Sequence, residues 1–150
     1  MQFQTPDWVC DIMVNQCTCN PKTILEPTPG EGNLVNALKK QFPDAKITAP
    51  NNYFELPFQR FDAVVTNPPF SPMKTGYQML EGMFYRSDNI IALMPWMSLI
   101  NSEKRYQLYQ KNGLKQVIHL PRKAFPASRV QCCILVFEKG YDGNIRLQFI

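Results

Sequence analysis

Asn67-Pro68-Pro69-Phe70, directly after the apolar run Phe61-Asp62-Ala63-Val64-Val65-Thr66, combines carbonyl acceptors, a stiffened backbone and an aromatic ring. Each residue before a proline is pushed toward extended geometry, and neither Pro68 nor Pro69 has an N–H, so this loop offers acceptors rather than donors. The Asn67 side-chain oxygen and the Pro68 carbonyl can accept both hydrogens of an exocyclic amine. An amino nitrogen on a planar base is a poor nucleophile because its lone pair is delocalised into the ring. Two acceptors gripping its hydrogens oppose that delocalisation, while Phe70 can stack on the base. By itself Asn-Pro-Pro is ordinarily a turn. Its meaning depends on what the rest of the chain places beside it.

Glu26-Pro27-Thr28-Pro29-Gly30-Glu31-Gly32 is the second such segment. It lies between the buried strand expected over Thr23-Ile24-Leu25-Glu26 and a helix carrying Leu34, Val35 and Leu38 that ends near Pro43. Gly30 and Gly32 allow a ligand close to the backbone. The loop lacks the Gly-x-Gly-x-x-Gly spacing and the lysine of a phosphate loop, so phosphate is not the expected ligand. In an open α/β sheet ligands bind beyond the carboxyl ends of the strands, and both loops follow strands, so the two can border one pocket.

Strand-like and helix-like segments alternate along the chain, which predicts an α/β fold with a largely parallel sheet covered by helices. Thr5-Pro6 reads as a helix start with Thr5 as cap, leading into Trp8, Val9, Ile12 and Met13. A short strand is expected at Lys46-Ile47-Thr48 and another ending at Thr66, with a helix over about Thr75 to Tyr85. Asn89 to Met94 is a strand that Pro95 stops. Asn101 or Ser102 caps a helix to Asn112, where Gly113 suits a left-handed terminus. Val117 to Leu120 and Cys132 to Phe137 form a last strand pair, and the weakly alternating Asn144 to Ile150 adds an edge strand.

The chain has 150 residues and 45% apolar content, enough for one domain with a sizeable core and hardly enough for a separate target-recognition domain. No run reaches the length of a membrane span, and Asp7 and Asp11 break any signal-peptide pattern, so a cytoplasmic location is expected. Cys10, Cys17, Cys19, Cys132 and Cys133 are an odd set that makes a poor disulfide framework. With His119 the only histidine, no metal site is expected. Residues 1–75 hold 6 Lys/Arg against 7 Asp/Glu and residues 76–150 hold 10 against 5, so the basic excess sits in the second half. Lys104, Arg105, Lys111, Lys115, Arg122, Lys123 and Arg129 could attract a phosphate backbone, or form a solvated face.

Taken in order, Thr5-Pro6, Ile24-Leu25-Glu26-Pro27-x-x-Gly30-x-Gly32 and Phe61-Asp62-x-Val64-Val65-Thr66-Asn67-Pro68-Pro69-Phe70 resemble the motifs of amino-group DNA methyltransferases, particularly the adenine-N6 class. The likeness continues through Leu93-Met94-Pro95, Lys104-Arg105 and Leu120-Pro121-x-x-x-Phe125, resembling small phage-type enzymes, which implies the host cytoplasm if the protein is phage-encoded. The resemblance implies a three-layer Rossmann-like methyltransferase fold, with a mostly parallel seven-stranded sheet and a C-terminal antiparallel hairpin. The interval between Lys46 and Phe61 is short enough to drop one strand and one helix, which would leave six strands. The resemblance also implies S-adenosylmethionine held by Thr5, Pro6, Glu26, Pro27, Gly30, Gly32, Asn52 and Asn67. It gives Asn67, Pro68, Pro69 and Phe70 the catalytic role, and assigns the DNA to Phe70, Lys104, Arg105, Arg122, Lys123 and Phe125. None of the cysteines lies in a motif resembling the nucleophile loop of cytosine-C5 enzymes.

The chain departs from the family pattern in two places. The carboxylate that usually ends the second strand and binds the ribose is absent from Ile47-Thr48-Ala49-Pro50-Asn51, and Asn52 or Glu55 must replace the acidic residue that meets the adenine amino group. Losing one charged acceptor costs about 1–3 kcal/mol of cofactor affinity. Three alternatives to a DNA substrate stand beside the first reading: an RNA adenine, a protein glutamine amide, or a non-catalytic subunit that binds cofactor and DNA. The expected partners are a separate specificity subunit or a second copy of the chain.

Overall fold

The computed structural model describes residues 4–150. Its elements are α1 (Asp7–Asn15), β1 (Thr23–Leu25), α2 (Asn33–Gln41), β2 (Lys46–Thr48), β3 (Ala63–Thr66), α3 (Met73–Met83), β4 (Asn89–Pro95), α4 (Glu103–Lys111), β5 (Leu114–His119), β6 (Cys132–Glu138) and β7 (Arg146–Phe149). The strands form one seven-stranded sheet in the order β2-β1-β3-β4-β6-β5-β7. β6 alone runs antiparallel, between β4 and β5; the other pairings are parallel.

Alternation within the buried strands divides the core between two faces. Ile24, Ala63, Val65, Ile91, Leu93 and Ile134 point toward Val9 and Met13 of α1 and Leu34 and Leu38 of α2. Leu25, Val64, Ile90, Ala92, Met94 and Leu135 point toward Met79, Leu80 and Met83 of α3 and Tyr109 of α4. Successive strand residues face opposite sides, so a strand covered on both faces must be apolar throughout. Ala63, Val64, Val65 and Ile90 to Met94 meet that condition. Each buried valine, leucine or isoleucine contributes about 1.5–3 kcal/mol relative to an exposed one.

The expected fold class and its C-terminal hairpin are present. Between β2 and β3 there is only a short 3-10 turn, Tyr53–Glu55, in place of a strand and a helix. The count still reaches seven because Arg146–Phe149 adds the parallel edge strand beside β5. Three local expectations need correction. Pro6, not Thr5, occupies the N-cap position of α1, and no side chain caps that helix. α3 starts at Met73, two residues before Thr75, because Pro72 supplies the extended residue that precedes its first turn. Pro95 ends β4 from within, opposite Cys132, since a missing N–H is tolerated at the last pairing and Trp96 N donates to Gln131 O at 2.9 Å. Ser102 caps α4 by accepting from Arg105 N at 3.2 Å, and Gly113 takes the left-handed φ of 77°.

Candidate active site

The carboxyl ends of β1 and β3 are neighbours, and the loops that leave them meet. Thr28, in the loop after β1, places its Oγ1 3.0 Å from the Asn67 carbonyl oxygen, 3.1 Å from Thr66 Oγ1 and 3.1 Å from Glu26 Oε1. A hydroxyl has one proton, so it donates to one of these oxygens at a time. The Thr28 N–H also donates to Glu26 Oε1, at 2.7 Å.

The N-terminal segment closes over this junction. Asn67, 3% exposed, donates from Nδ2 to Thr5 Oγ1 at 2.9 Å, which orients its carboxamide. The Thr5 carbonyl accepts from Asn33 Nδ2 at 3.0 Å, and Gln4 Oε1 accepts from Glu31 N at 3.3 Å. Thr5 therefore holds the catalytic candidate instead of capping α1. Thr5→Val should cost about 1–3 kcal/mol in denaturant unfolding, because the buried Asn67 carboxamide loses this acceptor, and Thr5→Ser should restore most of it.

Gly30 and Gly32 adopt φ of 53° and 94°, both left-handed values that glycine takes at little cost. A Cβ on Gly32 would meet nothing within 4 Å, so a ligand can approach its backbone there. Glu26 beneath the loop is 1% exposed, and burial pushes its carboxyl up to about 8, against the weaker pull of the hydrogen bonds from Thr28 and Thr66. A cation brought beside this carboxyl would favour its ionised form and oppose the effect of burial.

Pro68 is buried and Phe70 half-buried, with the Phe70 ring against both faces of the core. Gly76, on the first turns of α3, lies under this corner. A Cβ there would sit 2.5 Å from the Pro69 carbonyl oxygen and 3.3 Å from Phe70 Cδ1. Thr28, Thr66, Asn33 and Gly76 were not singled out in the sequence. Thr28 and Thr66 had only their places inside the two motifs to mark them, and nothing local marked Asn33 or Gly76.

Of the remaining expected site residues, Pro6 is half-buried and Pro27 is buried next to the same loops. Asn52 is exposed, and its Oδ1 accepts from Phe54 N at 3.0 Å to cap the turn that follows. The Arg105 guanidinium stacks 3.6 Å from the Tyr77 ring centroid and donates to Asn101 Oδ1, so α4 is tied to α3. Lys104, Arg122 and Lys123 are exposed. Phe125, 7% exposed, packs in the core with Leu120 and Ala124, because its short 3-10 turn folds back against the α1 side of the sheet.

Burial pushes the Cys10, Cys132 and Cys133 thiols up. Cys19 is lowered to about 7 by a hydrogen bond from Cys17, but it borders a hollow of about 390 Å³ at the amino ends of β1, β3 and β4. A second groove, of about 420 Å³, runs between α3 and α4. Neither space is lined by the glycine loop or by Asn67, and ligands of open α/β sheets bind beyond the carboxyl ends, so neither is assigned to the chemistry. Among the described residues no group of three His, Cys, Asp or Glu side chains could hold a metal, and no helix is long and apolar enough to cross a membrane.

No protein-family model and no curated protein matches the chain. Solved structures do. A Listeria monocytogenes protein described as a class I S-adenosylmethionine-dependent methyltransferase superposes with a TM-score of 0.75 at 15% identity, over 98% of this chain and 65% of that one. The methyltransferase subunit of a Streptococcus thermophilus type I restriction-modification system gives 0.70 at 17% identity, over 93% and 45%. The M protein of the type I restriction enzyme EcoKI gives 0.70 at 15% identity, over 93% and 44%. The chain thus spans under two thirds of each of these proteins, and its fold is the Rossmann-like fold of methyltransferases.

Proposed function

We propose that the protein transfers a methyl group from S-adenosylmethionine to the N6 amino group of an adenine in DNA, in a single catalytic domain. The observation that carries this reading is the junction of the two loops. The Asn67 carboxamide is oriented by Thr5 and its carbonyl lies 3.0 Å from Thr28 of the glycine loop. An acceptor corner and an open glycine turn thereby border one place.

When bound, S-adenosylmethionine supplies an electrophilic methyl group on a sulfonium. The open face of Gly32 fits close backbone approach by its methionine portion, and Glu26 fits its ammonium. Thr5, Pro6, Pro27, Gly30 and Asn67 complete that side, and exposed Asn52 is left for the adenine edge. The Asn67 side-chain oxygen and the Pro68 carbonyl accept the hydrogens of the target amine and direct its lone pair out of the ring. Phe70 stacks on the extruded base. The amine sheds one proton to solvent, and no covalent enzyme intermediate forms. Positioning and preorganised acceptors carry the rate.

Label from the methyl-tritiated cofactor should appear in DNA when the protein is offered DNA, RNA and protein pools. Label confined to RNA or to protein would reject the DNA assignment. The exposed Asn51 and Asn52 after β2, where a carboxylate is usual, favour the second reading, a subunit that binds without turnover. Calorimetry showing no binding at millimolar cofactor would select it.

Glu26 gives this reading a pH signature. The folded protein keeps the Glu26 proton up to about pH 8 whereas an exposed carboxyl loses it near 4.5, so the native state binds more protons between those values. Stability contributed by this group is full below 4.5 and falls as pH rises toward about 8. A ligand ammonium reverses the preference, so cofactor binding in that window should release a proton and tighten with rising pH. Calorimetry in buffers of different ionisation enthalpy measures the release, and Glu26→Gln should abolish both it and the stability slope.

A further inference from the structure

The segment 49–60, which leads from β2 toward β3 with a single 3-10 turn, is fastened to the end of α3 by a buried cation. Arg86, 8% exposed, donates from Nη2 to the Leu56 carbonyl at 3.2 Å and from Nη1 to the Pro57 and Gln59 carbonyls at 3.1 and 3.3 Å. Its Cζ stands 5.3 Å from the Tyr53 ring centroid and 5.6 Å from that of Phe58. The Tyr53 hydroxyl in turn lies against α3 at Gly82, where a Cβ would come within 2.9 Å of it. Among the described residues no carboxylate pairs with Arg86. Burying a cation is costly unless it is well hydrogen-bonded, and backbone carbonyls and ring faces of one short segment meet that need here.

The carbonyl held at Leu56 belongs to a turn that begins at Asn52. Asn52 Oδ1 accepts from Phe54 N at 3.0 Å, the Asn52 carbonyl accepts from Glu55 N at 3.2 Å, and Leu56 N donates to the Tyr53 carbonyl at 3.0 Å. The bond from Phe54 leaves one lone pair of Oδ1 and both Nδ2–H groups, so this amide presents an acceptor and a donor in a fixed order. The turn also starts beside the glycine loop. Thr48 ends β2, and its carbonyl accepts from Glu26 N at 2.9 Å. An adenine ring offers the matching pair, an amino hydrogen next to an unprotonated ring nitrogen. Hypoxanthine replaces that amino donor by an oxo acceptor.

We propose that Arg86 is a positioning residue of the cofactor site: by clamping Leu56, Pro57 and Gln59 it holds Asn52 in the orientation that tells adenine from a purine with an oxo group in place of the amine. This rests on the reading of the glycine loop as the S-adenosylmethionine site. Arg86 acts through the turn rather than by contact with the cofactor. A clamp with only a structural role would change stability and leave the base preference alone.

The test is calorimetry without nucleic acid, using S-adenosylhomocysteine and S-inosylhomocysteine as the two probes. Wild type should bind the adenine compound about 5- to 100-fold more tightly, the discrimination that one two-point amide contact gives. Asn52→Ala, at an exposed position, should bring the two affinities to within about twofold of each other. Arg86→Met, which keeps an apolar stem and removes the donors, should do the same. Arg86→Lys keeps the charge but not the planar fork, and should retain part of the preference. Amide exchange without ligand reads the clamp itself: in both Arg86 variants Phe54, Glu55 and Leu56 should exchange about tenfold faster or more, while the amides of β3 and β4 keep their protection. The wild-type ratio in Arg86→Met, or in Arg86→Lys if the methionine variant does not fold, overturns the proposal. So do turn amides that exchange as in wild type, or an Asn52→Ala protein that still prefers adenine. A wild type that binds both probes alike overturns it too and leaves the cofactor reading intact, whereas a wild type that binds neither removes that reading and the proposal with it.

Discussion

Asn67→Ala is expected to reduce methyl transfer by about 10³-fold while leaving a folded protein that still binds S-adenosylmethionine. The side chain does two things that alanine cannot. In the proposed reaction its oxygen accepts a hydrogen of the target amine, and its Nδ2–H, donated to Thr5 Oγ1 at 2.9 Å, keeps that oxygen aimed. Removing one preorganised polar group from such a site costs about 10²–10³ in turnover, and losing both aim and acceptor puts the expectation at the upper end. The structural cost is smaller, about 1–3 kcal/mol, because Thr5 Oγ1 is left without its buried partner. Pro68 and Pro69 keep the loop extended without help from Asn67. Initial rates with labelled cofactor and DNA, beside calorimetry with the cofactor alone, separate the two effects. Turnover within about tenfold of wild type would remove the central assignment.

Gly76→Ala should separate stability from activity. Inside a helix, replacing glycine by alanine normally stabilises by about 0.5–1 kcal/mol, through the entropy of the unfolded chain. Here the new Cβ would stand 2.5 Å from the Pro69 carbonyl oxygen, so the loop that carries the acceptors must move away from α3. A displacement of about 1 Å in a positioned reactive group can cost about 10²-fold in rate. The expected variant therefore unfolds close to the wild-type midpoint, the helix gain offsetting the contact strain, yet turns over about 10²-fold more slowly. The loss should fall on kcat rather than on cofactor affinity, since the glycine loop lies on the other side of Asn67. A variant with wild-type kcat would show that the Pro69 corner tolerates the shift and does not set the rate.

Much of the architecture was legible because its causes are local. The runs Ala63 to Thr66 and Asn89 to Met94 are apolar at every position or nearly so, which only a strand covered on both faces requires, and both are strands. Ser102 before a polar helix and Gly113 after it mark both ends of α4 by capping chemistry that acts within a few residues. The shortened interval after β2 followed from counting residues. Thr5 departs from the local pattern: Thr-Pro before an amphipathic run is a good helix start, yet its side chain accepts from Asn67, 62 residues away, instead.

What the sequence by itself determined is the backbone character of the two loops, because proline restricts the backbone of Asn67-Pro68-Pro69-Phe70 and glycine frees that of Gly30 and Gly32 whatever surrounds them. Only the tertiary structure decided where those groups are placed. The aim of Asn67, the buried carboxyl of Glu26 and the contact of Gly76 with Pro69 all depend on strand order and register. Those are set by the burial of both faces of the sheet together, a property of the whole core that no stretch of neighbouring residues contains.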